Sequence, residues 1–245
     1  MGADGIFDER VAPTYDADHA VRFAPEELEP TVAFLAGLAA GRRVLELAIG
    51  TGRVALPLRE RGLDVAGIEL SRAMVAELRA KPGGEAIPVA VGDMATTRAD
   101  GSFGLVLLVF NAIGNLLTQE EQVACFANAA AHLDPGGHFV VEVGVPRLRR
   151  LPVGETLVPF DVSDGHVGID EYDVVEQRLV SHHYRIGDGR AEVFRSLHRY
   201  VWPSELDLMA TMAGLVRQER WSDWHRSPFT AESTQHVSVW QKPTA

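Results

Sequence analysis

The sequence predicts an α/β fold: a doubly wound, seven-stranded, mostly parallel sheet with an antiparallel β insertion after its fifth strand. Three observations lead there. A short apolar strand, Val44-Leu45-Glu46-Leu47, enters a turn with two glycines, Gly50 and Gly52, and a helix starts at once. Strands and helices then alternate over roughly 120 residues, the pattern of right-handed parallel crossovers. From about residue 151 to 202 no convincing helix appears, and strand-like segments follow one another. The chain therefore divides into an N-terminal arm or lid (1–24), a core (25–150 and 203–245) and an antiparallel insertion on the substrate side (151–202).

Each element has a local cause. The arm is rich in Asp, Ala and Gly and reads as poorly structured alone, yet it carries Phe7, Tyr15 and His19. Pro25-Glu26-Glu27 opens a helix to about residue 40, with Leu28, Val32 and Leu35 at helical spacing and acids in its first turn. Gly41 stops it. The next helix covers 53–61 and ends at Gly62. Strand 2 is 64–69, and Ser71 can cap the helix after it. Strand 3 is 87–91. Strand 4, 103–110, is nearly all apolar, as expected of a strand covered on both faces. A helix over 119–133 is ended by Asp134-Pro135-Gly136-Gly137, and strand 5 is 138–143. In the insertion 168–176, 178–186 and 190–202 read as strands, with Gly187-Asp188-Gly189 as a hairpin turn. Pro203 starts a last helix that Gly214 stops, and 215–221 and 235–241 close the sheet.

The bulk numbers narrow the function. With 245 residues and 46% hydrophobic residues, the chain can build one large α/β domain. A formal charge of −11 argues against nucleic acid as a partner, because backbone binding needs clustered Lys and Arg. One cysteine, Cys125, excludes an internal disulfide and a multi-Cys zinc site, and its place in an amphipathic helix makes it a small buried side chain. No leader and no long apolar run are visible, so a soluble cytoplasmic protein with no membrane partner is expected.

The Gly turn matters most. Gly50-Thr51-Gly52-Arg53-Val54-Ala55 fits the dinucleotide pattern G-x-G-x-x-G/A, with an acid, Glu69, at the end of the next strand. Two acids speak against a dinucleotide. Glu46 stands just before the turn, where it would repel a pyrophosphate and attract a cationic amino-acid group. Asp93 follows strand 3, where it can accept a hydrogen bond from an adenine amino group; its alternative role is a helix cap. Adenosine at one end, a positive amino-acid group at the other and no phosphate describe S-adenosylmethionine.

Glu46-Leu47-Ala48-Ile49-Gly50-Thr51-Gly52-Arg53, Gly67-Ile68-Glu69-Leu70-Ser71, Gly92-Asp93-Met94 and Leu133-x-Pro135-Gly136-Gly137 together resemble the class I S-adenosylmethionine-dependent methyltransferases. The resemblance covers about residues 40 to 143 and departs at Ala48, where many members have glycine. It implies that Glu46, Ala48, Gly50 and Gly52 surround the methionine part and that Glu69 takes both ribose hydroxyls. Leu70 and Met94 would flank adenine, Asp93 would bind its amino group, and Phe110 and Asn111 would line the pocket near the sulfonium.

Methyl transfer from a sulfonium is an in-line displacement that needs alignment, a dry site and a base for an N–H or O–H nucleophile, and no metal. Specificity is expected from the arm, the 111–117 loop and the insertion, which is rich in His166, Tyr172, His182, His183, Tyr184, His198, Arg199, Tyr200 and Trp202. Alternate strand residues share a face, so His182 and Tyr184 look one way and His183 and Arg185 the other. The sequence does not choose between the faces. His182 and His183 are the candidate bases of the insertion, and His19 and Tyr15 those of the arm. Trp202 and the Trp221 to Trp224 stretch are expected to pack the insertion against the body. The length and the arm are similar to bacterial small-molecule methyltransferases, which implies a small-molecule acceptor at N or O. An exposed strand edge offers a route to a homodimer. Two other classes remain at this stage: a non-catalytic S-adenosylmethionine-binding or interaction protein on the same fold, and a nicotinamide-dependent oxidoreductase, which would need phosphate room where Glu46 stands.

Overall fold

The computed structural model describes residues 6–187 and 190–244. The arm is more ordered than its composition predicts: a 3-10 turn (Ala12–Thr14) leads into α1 (Tyr15–Asp18) and α2 (Ala20–Phe23). The reason is tertiary. The Ser71 hydroxyl donates to the Phe7 carbonyl at 2.5 Å, the Thr51 hydroxyl donates to Asp16 at 2.6 Å, and Lys81 pairs with Asp16.

α3 (Pro25–Ala39) ends where Ala40 turns left-handed. Then come β1 (Val44–Leu47), α4 (Ala55–Glu60), β2 (Val65–Glu69), α5 (Arg72–Ala80), β3 (Val89–Val91), β4 (Phe103–Leu108), α6 (Gln119–His132) and β5 (Leu133–Gly144). Ser71 caps α5 by accepting from the Met74 N–H at 3.1 Å. Thr118 and Glu121 cap α6 reciprocally, each side chain accepting from the other's backbone. The insertion holds β6 (Leu157–Ser163), β7 (His166–Asp173), β8 (Arg178–Gly187) and β9 (Arg190–Arg199). α7 (Pro203–Met212), β10 (Val216–Trp221) and β11 (Gln235–Gln241) follow.

The main sheet has seven strands in the order β10-β11-β5-β4-β1-β2-β3. β3, β2, β1, β4 and β5 are parallel, and β11 and β10 add antiparallel at one edge. Alternation sends Leu45, Leu47, Val106 and Leu108 into one apolar layer, where Phe126 of α6 meets Phe139 and Trp240 at 5.0 and 5.5 Å between ring centroids. Val44, Leu105 and Leu107 enter the opposite layer with Val32 and Leu35 of α3. Burial of each such side chain contributes about 1.5–3 kcal/mol. Cys125 is fully buried in the first layer, as expected, and burial pushes its thiol up.

Three local expectations are corrected. β5 begins at Leu133 and runs through Asp134-Pro135-Gly136-Gly137, because Leu133 already pairs with Phe103 of β4 and pairing resumes at His138 with Leu105, the segment between forming the register shift. The insertion has a further strand, β6, and forms a separate four-stranded sheet of order β6-β7-β8-β9. Trp224 packs on Phe34 of α3 (5.5 Å) and donates to Glu142 at 2.9 Å, so it braces the main sheet and not the insertion. Asp188 and Gly189 of the expected hairpin turn lie outside the described residues; the strands beside them pair Gly187 with Arg190.

One buried ion pair fixes the insertion to the core. Arg199, at the end of β9, donates to Glu205 of α7 at 2.7 Å and to the Gln122 side chain of α6 at 2.5 Å. Burial alone would raise the Glu205 carboxyl, but hydrogen bonds from Gln177, Arg199 and Gln119 outweigh it and hold the group below its ordinary value. Among the described residues no helix is long and apolar enough to cross a membrane.

Candidate active site

The carboxyl ends of β1, β2 and β4, the arm and one face of the second sheet enclose a cavity of about 1510 Å³. It sits at the end of a parallel sheet where open α/β folds bind ligands. Glu46 and Glu69, both on its wall, are only 3% and 6% exposed.

The turn after β1 is built from left-handed backbone. Ala48, Gly50 and Gly52 have φ of 53°, 57° and 84°. Ala48 thus takes the conformation for which glycine is favoured, which is why glycine can stand at that point of the loop. Gly52 is favoured both by its φ and by space: a Cβ there would lie 2.4 Å from Leu78 Cδ1, which would have to shift. The turn presents the Gly50 N–H to Glu69 Oε2 at 2.8 Å, while the Ser71 N–H donates to Glu69 Oε1 at 2.9 Å. Glu69 is fixed from behind and keeps lone pairs for a ligand. Burial nevertheless raises its carboxyl, against these backbone bonds.

Glu46 is less well served. Its Oε2 is buried without a hydrogen-bond partner among the described residues. Burial pushes the carboxyl up to about 8, against the pull of Arg53 and the Ala55 N–H. A buried acid with an orphaned oxygen is completed by a cationic donor.

The turn after β4 is strained. Phe110 and Asn111 both have positive φ, 57° and 59°, at a cost of roughly 1–2 kcal/mol each. β5 holds them there. Glu142 Oε2 accepts from the Phe110 N–H at 2.9 Å, and Asn111 Oδ1 accepts from the Gly144 N–H at 2.6 Å. The Phe110 ring is thereby placed under the Arg53 guanidinium (4.9 Å) and edge-on to His19 (5.6 Å).

The arm supplies another wall. Tyr15 stacks on His19 at 4.4 Å and meets Phe7 edge-on at 5.7 Å. Burial raises the Tyr15 phenol to about 12, so it stays neutral. Arg185 of β8 pairs with Asp18 of the arm at 2.9 Å, joining arm and insertion.

Strand register decides which face of the second sheet is turned inward. Ser181, His183 and Arg185 of β8, with Phe194, Ser196 and His198 of β9, line the cavity. Burial lowers His198 to about 4 and also lowers His183, so both are neutral near pH 7.

Every expected cofactor residue except Gly52 lines this cavity: Glu46, Ala48, Gly50, Glu69, Leu70, Asp93, Met94, Phe110 and Asn111. Gly52 acts one layer behind, shaping the turn. Asp93 also accepts from the Ala95 N–H at 2.7 Å, closing a turn rather than capping a helix. Of the candidate bases, His183, His19 and Tyr15 line the cavity. His182 is a correction. It is on the other face of β8, bonded to Glu171 at 2.9 Å and accepting from Arg195 at 3.1 Å, and does not line the cavity. His166 and His198, named in the sequence only among the aromatics of the insertion, and Glu142 and Met74, not singled out there, are also on the cavity wall.

Two fixed acids at the ends of neighbouring strands, a left-handed turn between them and a deep cavity beyond define a Rossmann-like site for an adenosine-bearing ligand with a cationic end. Residues 44–137 match the family model described as a methyltransferase domain. The solved CcbJ methyltransferase from Streptomyces caelestis is 36% identical, with a TM-score of 0.86, covering 98% of this chain and 99% of that one. The cypemycin N-terminal methyltransferase of a Streptomyces species is 25% identical over 99% of this chain and 100% of its own length. The S-adenosylmethionine-bound structure of CalS10, an amino pentose methyltransferase from Micromonospora echinaspora, shares the fold: 23% identity, TM-score 0.69, covering 92% of this chain and 96% of that one. The chain belongs to the S-adenosylmethionine-dependent methyltransferase family, and S-adenosylmethionine is its cofactor. The residues fit it: the orphaned Glu46 oxygen matches its ammonium group, and the pinned Glu69 carboxylate matches two ribose hydroxyls.

Proposed function

We propose that the protein methylates an amine nitrogen of a small molecule seated between the Gly turn and the inward face of β8 and β9. The observation that carries this is the second half of the cavity, beyond the expected cofactor residues. It is walled by neutral histidines and aromatic rings, and it extends the cavity of about 1510 Å³ past the expected cofactor residues. The whole-length relative named for an N-terminal methyltransferase supports nitrogen as the acceptor atom. The charge of −11 supports a partner other than nucleic acid and suits a cationic amine. A cytoplasmic location and a homodimer through an edge of the second sheet complete the proposal.

The cofactor supplies a methyl group on a positively charged sulfur. Glu46 holds its ammonium end, Glu69 the ribose hydroxyls and Asp93 the adenine amino group, with Leu70 and Met94 against the ring. Phe110 and Asn111, locked by β5, set the wall beside the reacting end. Tyr15 and His19 close the site from the arm, which acts as the lid, exclude water and orient the acceptor. Residues 151–202 act as the substrate-side unit.

The test is turnover of S-adenosylmethionine with a panel of small amines and alcohols, read by mass spectrometry. Methylated amine and S-adenosylhomocysteine in equal amounts are expected. Methylation of hydroxyls alone would overturn the choice of nitrogen. Cofactor binding with no turnover on any acceptor would favour the non-catalytic alternative.

A further inference from the structure

We propose that His183 is the base that removes a proton from the acceptor ammonium, and that His166 and Asp161 form a relay behind it. Asp161 Oδ2 lies 2.5 Å from His166 Nδ1, and His166 Nε2 lies 3.1 Å from His183 Nδ1. The three side chains come from β6, β7 and β8, and register brings them together. Gly168 pairs with His183 and His166 with Arg185, so His166 and His183 are diagonal neighbours on the inward face. Gly168 leaves room for the Phe160 ring, which a Cβ would strike at 2.3 Å, and that ring meets His183 edge-on at 5.2 Å.

In the proposed resting state His166 is neutral, and the chain of bonds then sets the tautomer. Ionised Asp161 only accepts, so His166 Nδ1 carries a proton. Neutral His166 then offers Nε2 as an acceptor, and His183 must donate to it from Nδ1. Among the described residues His183 Nε2 has no hydrogen-bond partner, on a residue that lines the cavity. The step balances: an ammonium N–H bond breaks, its electron pair stays on nitrogen as the nucleophile, and the proton goes to His183 Nε2. The His183 Nδ1 proton passes to His166 Nε2, and the resulting imidazolium lies against Asp161.

Other histidines lack this arrangement. Both His198 nitrogens are engaged, with Asn115 at 3.2 Å and Ser196 at 2.8 Å. His19 donates Nδ1 to the Tyr15 carbonyl, which cannot take up a proton. The charged and titratable groups around His183 are His166 of β7, His182 and Arg185 of β8 and His19 of the arm; after burial they too favour its neutral form.

The proposal rests on an amine acceptor, so its test has an arm that needs none. Nitrogen-15 shifts of the His183 ring in the protein without acceptor are expected to show Nδ1 protonated, with the other tautomer appearing in Asp161→Asn. A wild-type His183 protonated at Nε2 would overturn the relay. In kinetics, His183→Gln is expected to bind S-adenosylmethionine as the wild type does and to lose about 10²- to 10⁴-fold in kcat/KM near pH 7. The loss is expected to shrink about tenfold per pH unit as the acceptor deprotonates by itself. A loss constant with pH would overturn the base role. A wild type that methylates only hydroxyls would overturn the amine reading, while the tautomer measurement still decides the relay.

Discussion

Glu46→Gln separates what the buried acid does for the fold from what it does for the ligand. The folded carboxyl is raised by burial to about 8 from an ordinary 4.5. Each unit corresponds to about 1.4 kcal/mol. A folded-state value above the unfolded one means that the folded protein holds the proton more tightly. The penalty is therefore absent at low pH, grows as pH rises from about 4.5 to about 8, and is constant above that. It reaches about 3 kcal/mol at pH 7 and, as an upper bound, about 5 kcal/mol above pH 8. Glutamine carries no such penalty. In urea unfolding without cofactor, the variant is expected to match the wild type near pH 5 and to exceed it by a few kcal/mol near pH 8.5. S-adenosylmethionine binding is expected to weaken about 10- to 100-fold, the loss of one charge-assisted hydrogen bond. Wild-type affinity is expected to rise with pH up to about 8, because binding favours the ionised acid. A stability difference that is flat with pH, or a variant with undiminished affinity, would refute this role for Glu46.

Other substitutions probe the supports of the site. Gly52→Ala puts a Cβ against Leu78 at a φ of 84°, and thermal denaturation is expected to show a loss of about 1–3 kcal/mol. Arg199→Met strands Glu205 against the core, with an expected loss of about 3–5 kcal/mol in urea at pH 7. Because Glu205 is held below its ordinary value, the Arg199 contribution is fully present above about pH 4.5 and is lost as pH falls through the depressed value. The gap between wild type and variant is expected to narrow in acid.

The first half of the fold was legible because local chemistry and long-range pairing agree there. Val44 to Leu47, Val65 to Glu69 and Phe103 to Leu108 are apolar runs that end in turn residues, and all become central parallel strands. Glu46 and Glu69 were legible as residues of the cavity wall because strand ends in such sheets face a common crevice. β6 was not legible, because Pro159 and the polar residues Asp161 and Ser163 carry no clear strand signal; pairing with β7 makes it a strand. The order of the arm was hidden for a similar reason, since Ser71, Thr51 and Lys81 supply it from elsewhere in the chain. The choice between His182 and His183 rests on which face of the second sheet turns toward the core, which Arg199 and the Arg185–Asp18 pair fix at long range. The partnership of Asp161, His166 and His183 likewise exists only in cross-strand register.

The most direct measurement is calorimetric titration of the protein with S-adenosylmethionine and, separately, with NADH, on wild type and Glu69→Ala. Micromolar binding of S-adenosylmethionine alone, lost or much weakened in the variant, is expected from a pinned Glu69 that accepts the ribose hydroxyls. Binding of NADH, or S-adenosylmethionine binding that is indifferent to Glu69, would contradict the assignment of this crevice.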